Sequence, residues 1–212
     1  MTTPTHSFDE FPSDRGTDAS RILTALARIV EKLEALRRAD THFNVSGADE
    51  HEYRLNSPLS EHEVVAFEKQ AGVSVPEEYR AFVLEIGNGG AGPQNGCHSL
   101  CEEGTRLLKQ PFPISRAMAN AAISARDYDT INIRLKSNDS DGMEAGLLEL
   151  STGDYLDDTK IVFSGELRGT IWAWDPHNEL LFPLCDRRRE QLGFLAWYEE
   201  WLDEGLAEMI RK

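Results

Sequence analysis

Apolar residues near the start of the chain recur at alternating steps of four and three: Ile22, Leu26, Ile29, Leu33 and Leu36. That spacing lays one apolar stripe along a helix. Asp18 stands where an N-cap is needed, so the helix is predicted to start there. The stripe covers about two heptads, too few for a coiled coil of its own, so it is expected to dock onto the body of the domain. Residues 39–58 hold no period and read as a connecting loop. Ser60 followed by Glu63 then makes a capping box, with Val64, Phe67 and Ala71 on one face behind it and Gly72 as the stop. Pro76 suits the first turn of a third helix, where Tyr79, Phe82, Val83 and Ile86 repeat at i, i+3, i+4, i+7 before Gly87 ends it.

The run from Gly87 to Pro93 is too rich in glycine to stay helical and reads as a tight loop, with a short strand expected near Cys97 to Cys101. Residues 118–126 carry a helical pattern, whereas Ile131, Ile133 and Leu135 alternate as a strand does. Three short β-favouring runs follow at residues 145–150, 160–164 and 170–174, separated by Gly and Asp turns, and they predict an antiparallel meander. Phe194, Trp197, Tyr198, Trp201 and Leu202 give a last helix an aromatic face suited to covering one side of that sheet. Helices, then strands, then a helix make the class α+β, with a predominantly antiparallel sheet flanked by helices. The organisation expected is a disordered tail over residues 1–17 and one domain over 18–212.

Composition narrows the partners. With 22 Lys plus Arg against 37 Asp plus Glu, the formal net charge is −15, which repels nucleic-acid phosphates and anionic membrane surfaces and attracts cationic proteins. The first residues lack the apolar core of a signal peptide, and no run approaches the roughly 18 apolar residues of a membrane span. Three cysteines, Cys97, Cys101 and Cys185, are odd in number and sparse, so a reduced, cytoplasmic setting is expected.

Several motifs fail on context. Gly87, Gly89 and Gly92 fit the dinucleotide pattern G-x-G-x-x-G, but this loop follows a helix and runs into Pro93 instead of opening a helix after a strand. Neither His51-Glu52 nor His62-Glu63 has the second histidine of a zinc helix, since Leu55 and Ala66 stand there. Cys97, His98 and Cys101 lack a second ligand pair, and the calcium-like run around Asp139 and Asp141 has Leu148 where the bidentate acid belongs. No nucleophile elbow occurs. No cofactor, metal or catalytic residue is therefore assigned, and an enzyme is not expected.

Charge supplies the candidate site instead. Between Asp139 and Thr159 stand Asp139, Asp141, Glu144, Glu149, Asp154, Asp157 and Asp158, with no Lys or Arg until Lys160. These acids are expected to gather at loops on one edge of the sheet. A solvated face is one reading; the other is a docking surface for a basic protein, with Trp172 and Trp174 as aromatic anchors. Alternation puts both indoles on one face, which is equally able to be the core-facing one.

Residues 59–93, LSEHEVVAFEKQAGVSVPEEYRAFVLEIGNGGAGP, resemble the hallmark segment of the SUKH superfamily, the group of Smi/Knr-type proteins. The likeness rests on Glu68 in the second helix, on Pro76 and Tyr79 in the V-P-E-E-Y-R-A-F run, and on Asn88, Gly89, Gly90, Gly92 and Pro93. Later elements agree in order, although Gln94-Asn95-Gly96-Cys97 replaces an aromatic common in relatives. The resemblance implies an α+β fold and, for many bacterial members, immunity proteins that neutralise a toxin, often a basic nuclease, by stoichiometric binding without catalysis. Fungal relatives imply the alternative, a regulatory scaffold in cell-wall or stress signalling.

Overall fold

The fold was read from a computed structural model, which describes residues 15–100, 105–136, 144–153 and 158–211. Its centre is a four-stranded sheet in the order β1 (Leu147–Ser151), β2 (Asp158–Val162), β3 (Ile171–Asp175), β4 (Leu180–Pro183), every neighbour antiparallel. The meander is as predicted, with one strand more. β4 escaped notice because its four residues end on a proline and carry no alternation.

Side chains leave a strand on alternate faces, and here both faces are buried. Leu148, Leu150, Ile161, Phe163 and Ile171 point into the larger core, which is shared with α1 (Arg15–Ala39), α3 (Glu61–Ala71), α4 (Glu77–Glu85) and α7 (Phe194–Arg211). Leu147, Val162, Trp172 and Leu181 point the other way, under α5 (Arg116–Ala125) and α6 (Asp129–Lys136). The class is α+β, as the patterning predicts.

The predicted stripe of α1 is buried at Leu26, Ile29, Leu33 and Leu36 and packs along α7. The helix starts at Arg15, so Asp18 lies in its first turn and pairs with Arg21 at 3.7 Å instead of capping it. The expected tail over residues 1–17 otherwise lies outside the described residues. Within the 39–58 connection sits the single turn α2 (Ala48–His51). The capping box of α3 forms as read: Ser60 Oγ accepts from the Glu63 N–H and Glu63 Oε2 accepts from the Ser60 N–H at 2.7 Å. Gly72 closes that helix at φ 68°.

Residues 131–135 correct an expectation: they are helical, in α6. Ile131 and Leu135 are one turn apart and buried, whereas Ile133 is 69% exposed. Asn132 explains the position of the helix, because its amide pairs with both backbone groups of Leu181 in β4, at 2.8 and 3.2 Å. An edge that would template another strand is thereby occupied. Around residue 97 there is an isolated bridge between Gly90 and Cys97 rather than a strand, and Cys101 lies outside the described residues.

Candidate functional site

The family-like segment is a mechanical unit. Glu68 Oε1 accepts from the Val75 N–H at 2.9 Å and from Arg80 Nε at 3.3 Å, so one carboxylate fastens the end of α3 to the start of α4. Arg80 also pairs with Glu61. Pro76 is the N-cap of α4, and Tyr79 on its inner face packs on Phe194 of α7 with ring centroids 4.7 Å apart and planes tilted by 38°.

Beyond α4 the chain turns inward. Asn88 is buried, its Oδ1 accepting from the Leu100 N–H at 2.8 Å and its backbone carbonyl from Ser99 and Asn56. Gly90 and Cys97 exchange both backbone hydrogen bonds, at 2.7 and 2.8 Å. Gly89 and Gly90 have φ of 81° and 90°, and a Cβ on Gly90 would fall 2.5 Å from the Arg54 carbonyl oxygen. Gly92 has an ordinary φ but faces the Cys97 thiol, which a Cβ would meet at 2.3 Å. Pro93 is buried beside it. Tyr198 of α7 donates its hydroxyl to the Ala91 carbonyl at 2.6 Å, tying the loop to the last helix. Burial pushes the Cys97 thiol up to about 12, so it stays protonated and unreactive.

The acidic stretch is described only in part. Asp139, Asp141, Asp154 and Asp157 lie outside the described residues. Glu144 is exposed just before β1, and Asp158 begins β2 opposite Trp174. Glu149 and Lys160 face each other across β1 and β2 with a 2.9 Å ion pair, and Lys160 in turn faces Trp172. Burial and the neighbouring Glu149 carboxylate together raise the pKa of Asp158. Burial acts on Glu149 in the same sense, but hydrogen bonds from Lys160 and Thr152 outweigh it and hold its pKa below the ordinary value.

The two tryptophans separate. Both lie on the α5/α6 face, as alternation predicts, but that face is itself a core. Trp172 is fully buried against Phe112 at 5.0 Å, its indole N–H bonded to Thr170 Oγ1 at 3.0 Å, so it is withdrawn from the surface. Trp174, half-buried nearer the strand end, stays beside Asp158.

A second acidic surface was missed. On α7, Glu200, Glu204 and Glu208 follow at steps of four, one row over from Trp197 and Trp201. Together with Pro93 and Gln94 they border an open groove of about 750 Å³. Gln94 Oε1 accepts from Ser151 Oγ at 2.8 Å, so the groove adjoins the end of β1. The i, i+4 spacing of these acids is legible in the sequence, on the face of the helix next to its aromatic one.

Among the described residues, no three His, Cys, Asp or Glu side chains form a metal-ligating group, and no helix is long and apolar enough to cross a membrane. No curated protein and no solved structure matches the chain significantly. The SMI1 / KNR4 family (SUKH-1) does match, over residues 58–192, from just before the α3 capping box to the residue next to Gly193 ahead of α7. The span covers well over half of the sequence and takes in the Glu68 clasp, the Asn88–Pro93 loop and the whole sheet; the chain belongs to the SMI1 / KNR4 family (SUKH-1).

Proposed function

We propose that this protein is a cytoplasmic immunity protein that captures a basic toxin domain, a nuclease being the best fit, by one-to-one binding and without turnover. Membership of a family that includes toxin-immunity proteins supports the type of domain. The observation that carries the reading is charge: a net −15, with acids gathered toward the start of β1, the β1–β2 end and α7. A nuclease presents a basic surface to grip phosphates, and an acidic protein covers that surface and is steered to it by long-range attraction. Glu144, Glu149, Asp158 and Trp174 are proposed as part of the docking face, which Asp139, Asp141, Asp154 and Asp157 would extend.

Affinity capture of the tagged full chain from host lysate at low salt tests the reading. A basic toxin-domain protein recovered near one-to-one and released by salt is the expected result; signalling or envelope-synthesis proteins, or an empty eluate, overturn it. With the toxin in hand, reversing Asp154, Asp157 and Asp158 to Lys together is expected to slow association and flatten its salt dependence.

One observation favours the scaffold alternative. Leu23 and Val30, two turns apart on α1, are 62% and 43% exposed, an apolar strip of the kind a partner helix uses. Because the opposite side of α1 is core, removing the helix would damage the fold, so Leu23→Glu with Val30→Glu is the better probe. Loss of all captured partners in that variant would favour the scaffold.

A further inference from the structure

We infer that His51 is the bolt of an acid-sensitive latch: its neutral ring holds residues 47–54 against Trp201 of α7 and the Gly90–Gly96 loop, and uptake of a proton releases that segment. The inference concerns the molecule alone and does not depend on which partner it binds.

Hydrogen bonding fixes which nitrogen carries the proton. His51 is 9% exposed, its ring 5.7 Å from Trp201 and 5.5 Å from Tyr53 between centroids, edge to face with both. A Cβ on Gly96 would come 3.3 Å from His51 Cδ2, so the loop backbone lies close against the ring. Nδ1 accepts from the Tyr53 N–H at 3.0 Å. A ring nitrogen that accepts holds no proton, so the neutral imidazole carries its proton on Nε2, which is enclosed without an acceptor in bonding geometry. A second proton must go to Nδ1, where it confronts the Tyr53 N–H. That bond is then lost, and a cation is left among aromatic rings.

The segment held by this bond does not hold itself. α2 is a single turn, and Glu52 and Tyr53 after it have φ of 49° and 56°, a conformation that non-glycine residues keep only where contacts impose it. Besides His51, the contacts are the Arg54 carbonyl accepting from the Ala91 N–H at 2.7 Å and the Tyr53 hydroxyl donating to Asp40 at 2.7 Å. Asp40 keeps its charge down to about 2, so the segment stays tethered to the end of α1 while His51 titrates, and the release is reversible.

The surrounding charges leave the outcome to burial. Asp49 faces the ring from its own turn, and the Gly92 backbone faces it from the loop; both favour the charged form, but burial outweighs them and lowers the pKa. The loop also brings the Cys97 thiol, which stays protonated. From α7, Glu208 acts on Tyr53, whose hydroxyl is held neutral by burial and by Asp40. Glu50, Glu52, Arg54 and His98 line the open pocket beside the segment.

The test follows the His51 ring nitrogens and the backbone amides of the full chain by NMR between neutral pH and about pH 5. A proton on Nε2 and none on Nδ1 at neutral pH is expected. The Tyr53 and Ala91 amides are expected to exchange at least about tenfold faster than those of β2 and β3, through local opening. Corrected for intrinsic rates, that opening should grow about tenfold per pH unit below roughly 6.5, until the closed-state ring itself titrates. His51→Asn, whose Oδ1 can stand in for Nδ1 and takes up no proton, is expected to abolish the pH dependence. His51→Phe, which keeps a ring and loses the acceptor, should leave the segment open at every pH. A proton found on Nδ1, Tyr53 and Ala91 amides that exchange only together with the sheet, or a pH dependence retained in His51→Asn overturns the latch. The first two readings come from the unaltered protein, so the proposal can fail even where a variant does not fold.

Discussion

Asp40 is 1% exposed, yet it keeps its charge. Burial alone would raise its pKa, but hydrogen bonds from the Asn44 and Val45 amides, the Tyr53 hydroxyl and the Asn44 side chain outweigh burial and hold it at about 2. A depressed carboxylate stabilises the fold above the unfolded value near 4, and that contribution is lost as pH falls through about 2. The difference corresponds to about 2 kcal/mol. His51 acts in the same direction, because burial lowers its pKa and the unfolded chain takes up the proton first as pH drops. Urea denaturation between neutral pH and pH 2 is therefore expected to show falling stability, with a shallower decline for Asp40→Asn. Gly90 sets a harder constraint: Gly90→Val demands a positive φ of a β-branched residue and places its Cβ on the Arg54 carbonyl, so a loss of about 3 kcal/mol or more in thermal unfolding is expected. The glycine run announced this loop in sequence. The fate of Trp172 was not legible, because alternation tells that two residues share a face and not whether helices cover it.

Elements with complete local signals formed as read. The α3 box, the Gly72 stop and the α4 face each need only residues within one turn, and each is present. Glu63→Ala is expected to lower the midpoint of thermal unfolding slightly by leaving the Ser60 N–H without its side-chain partner. α6 shows the opposite case. Ile131, Ile133 and Leu135 satisfy both a strand and a helix, and a partner 49 residues away, Leu181, decides between them through Asn132. The attachment of α1 combines both kinds of information. Its apolar seam was plain in sequence, but its clasp to α7 was not: Arg28 and Lys32 converge on Glu199 at 2.7 and 2.9 Å, and Lys32 reaches Asp203 at 2.6 Å. Hydrogen bonding from Arg28, and then from Lys32, holds Glu199 at about 2. Glu199→Gln is expected to speed hydrogen exchange in α1 several-fold while leaving the sheet amides unchanged; equal exchange would assign the attachment to the seam alone.

At the scale of the molecule, fifteen excess negative charges oppose compaction, whereas exposed ion pairs such as Lys136–Glu179 contribute at most about 1 kcal/mol each. Screening should relieve the larger effect, so the midpoint of thermal unfolding is expected to rise between roughly 0.01 and 0.15 M salt. A fall would show that the clasp on Glu199 outweighs the repulsion. Net charge is legible from composition; the grouping of the α7 acids with Pro93, Gln94 and Trp201 was not, since it depends on how the loop and the last helix pack. The Tyr198 bond to Ala91 carries one more implication. The loop at the heart of the family segment receives its last hydrogen bond from a residue 107 positions downstream, and α1 finds its packing partner in the same late helix. On the ribosome, α1 and the loop must therefore wait, their apolar faces open, until α7 has been synthesised. Shielding by chaperones, and exposure to proteases, would fall on that interval more heavily than on the finished protein.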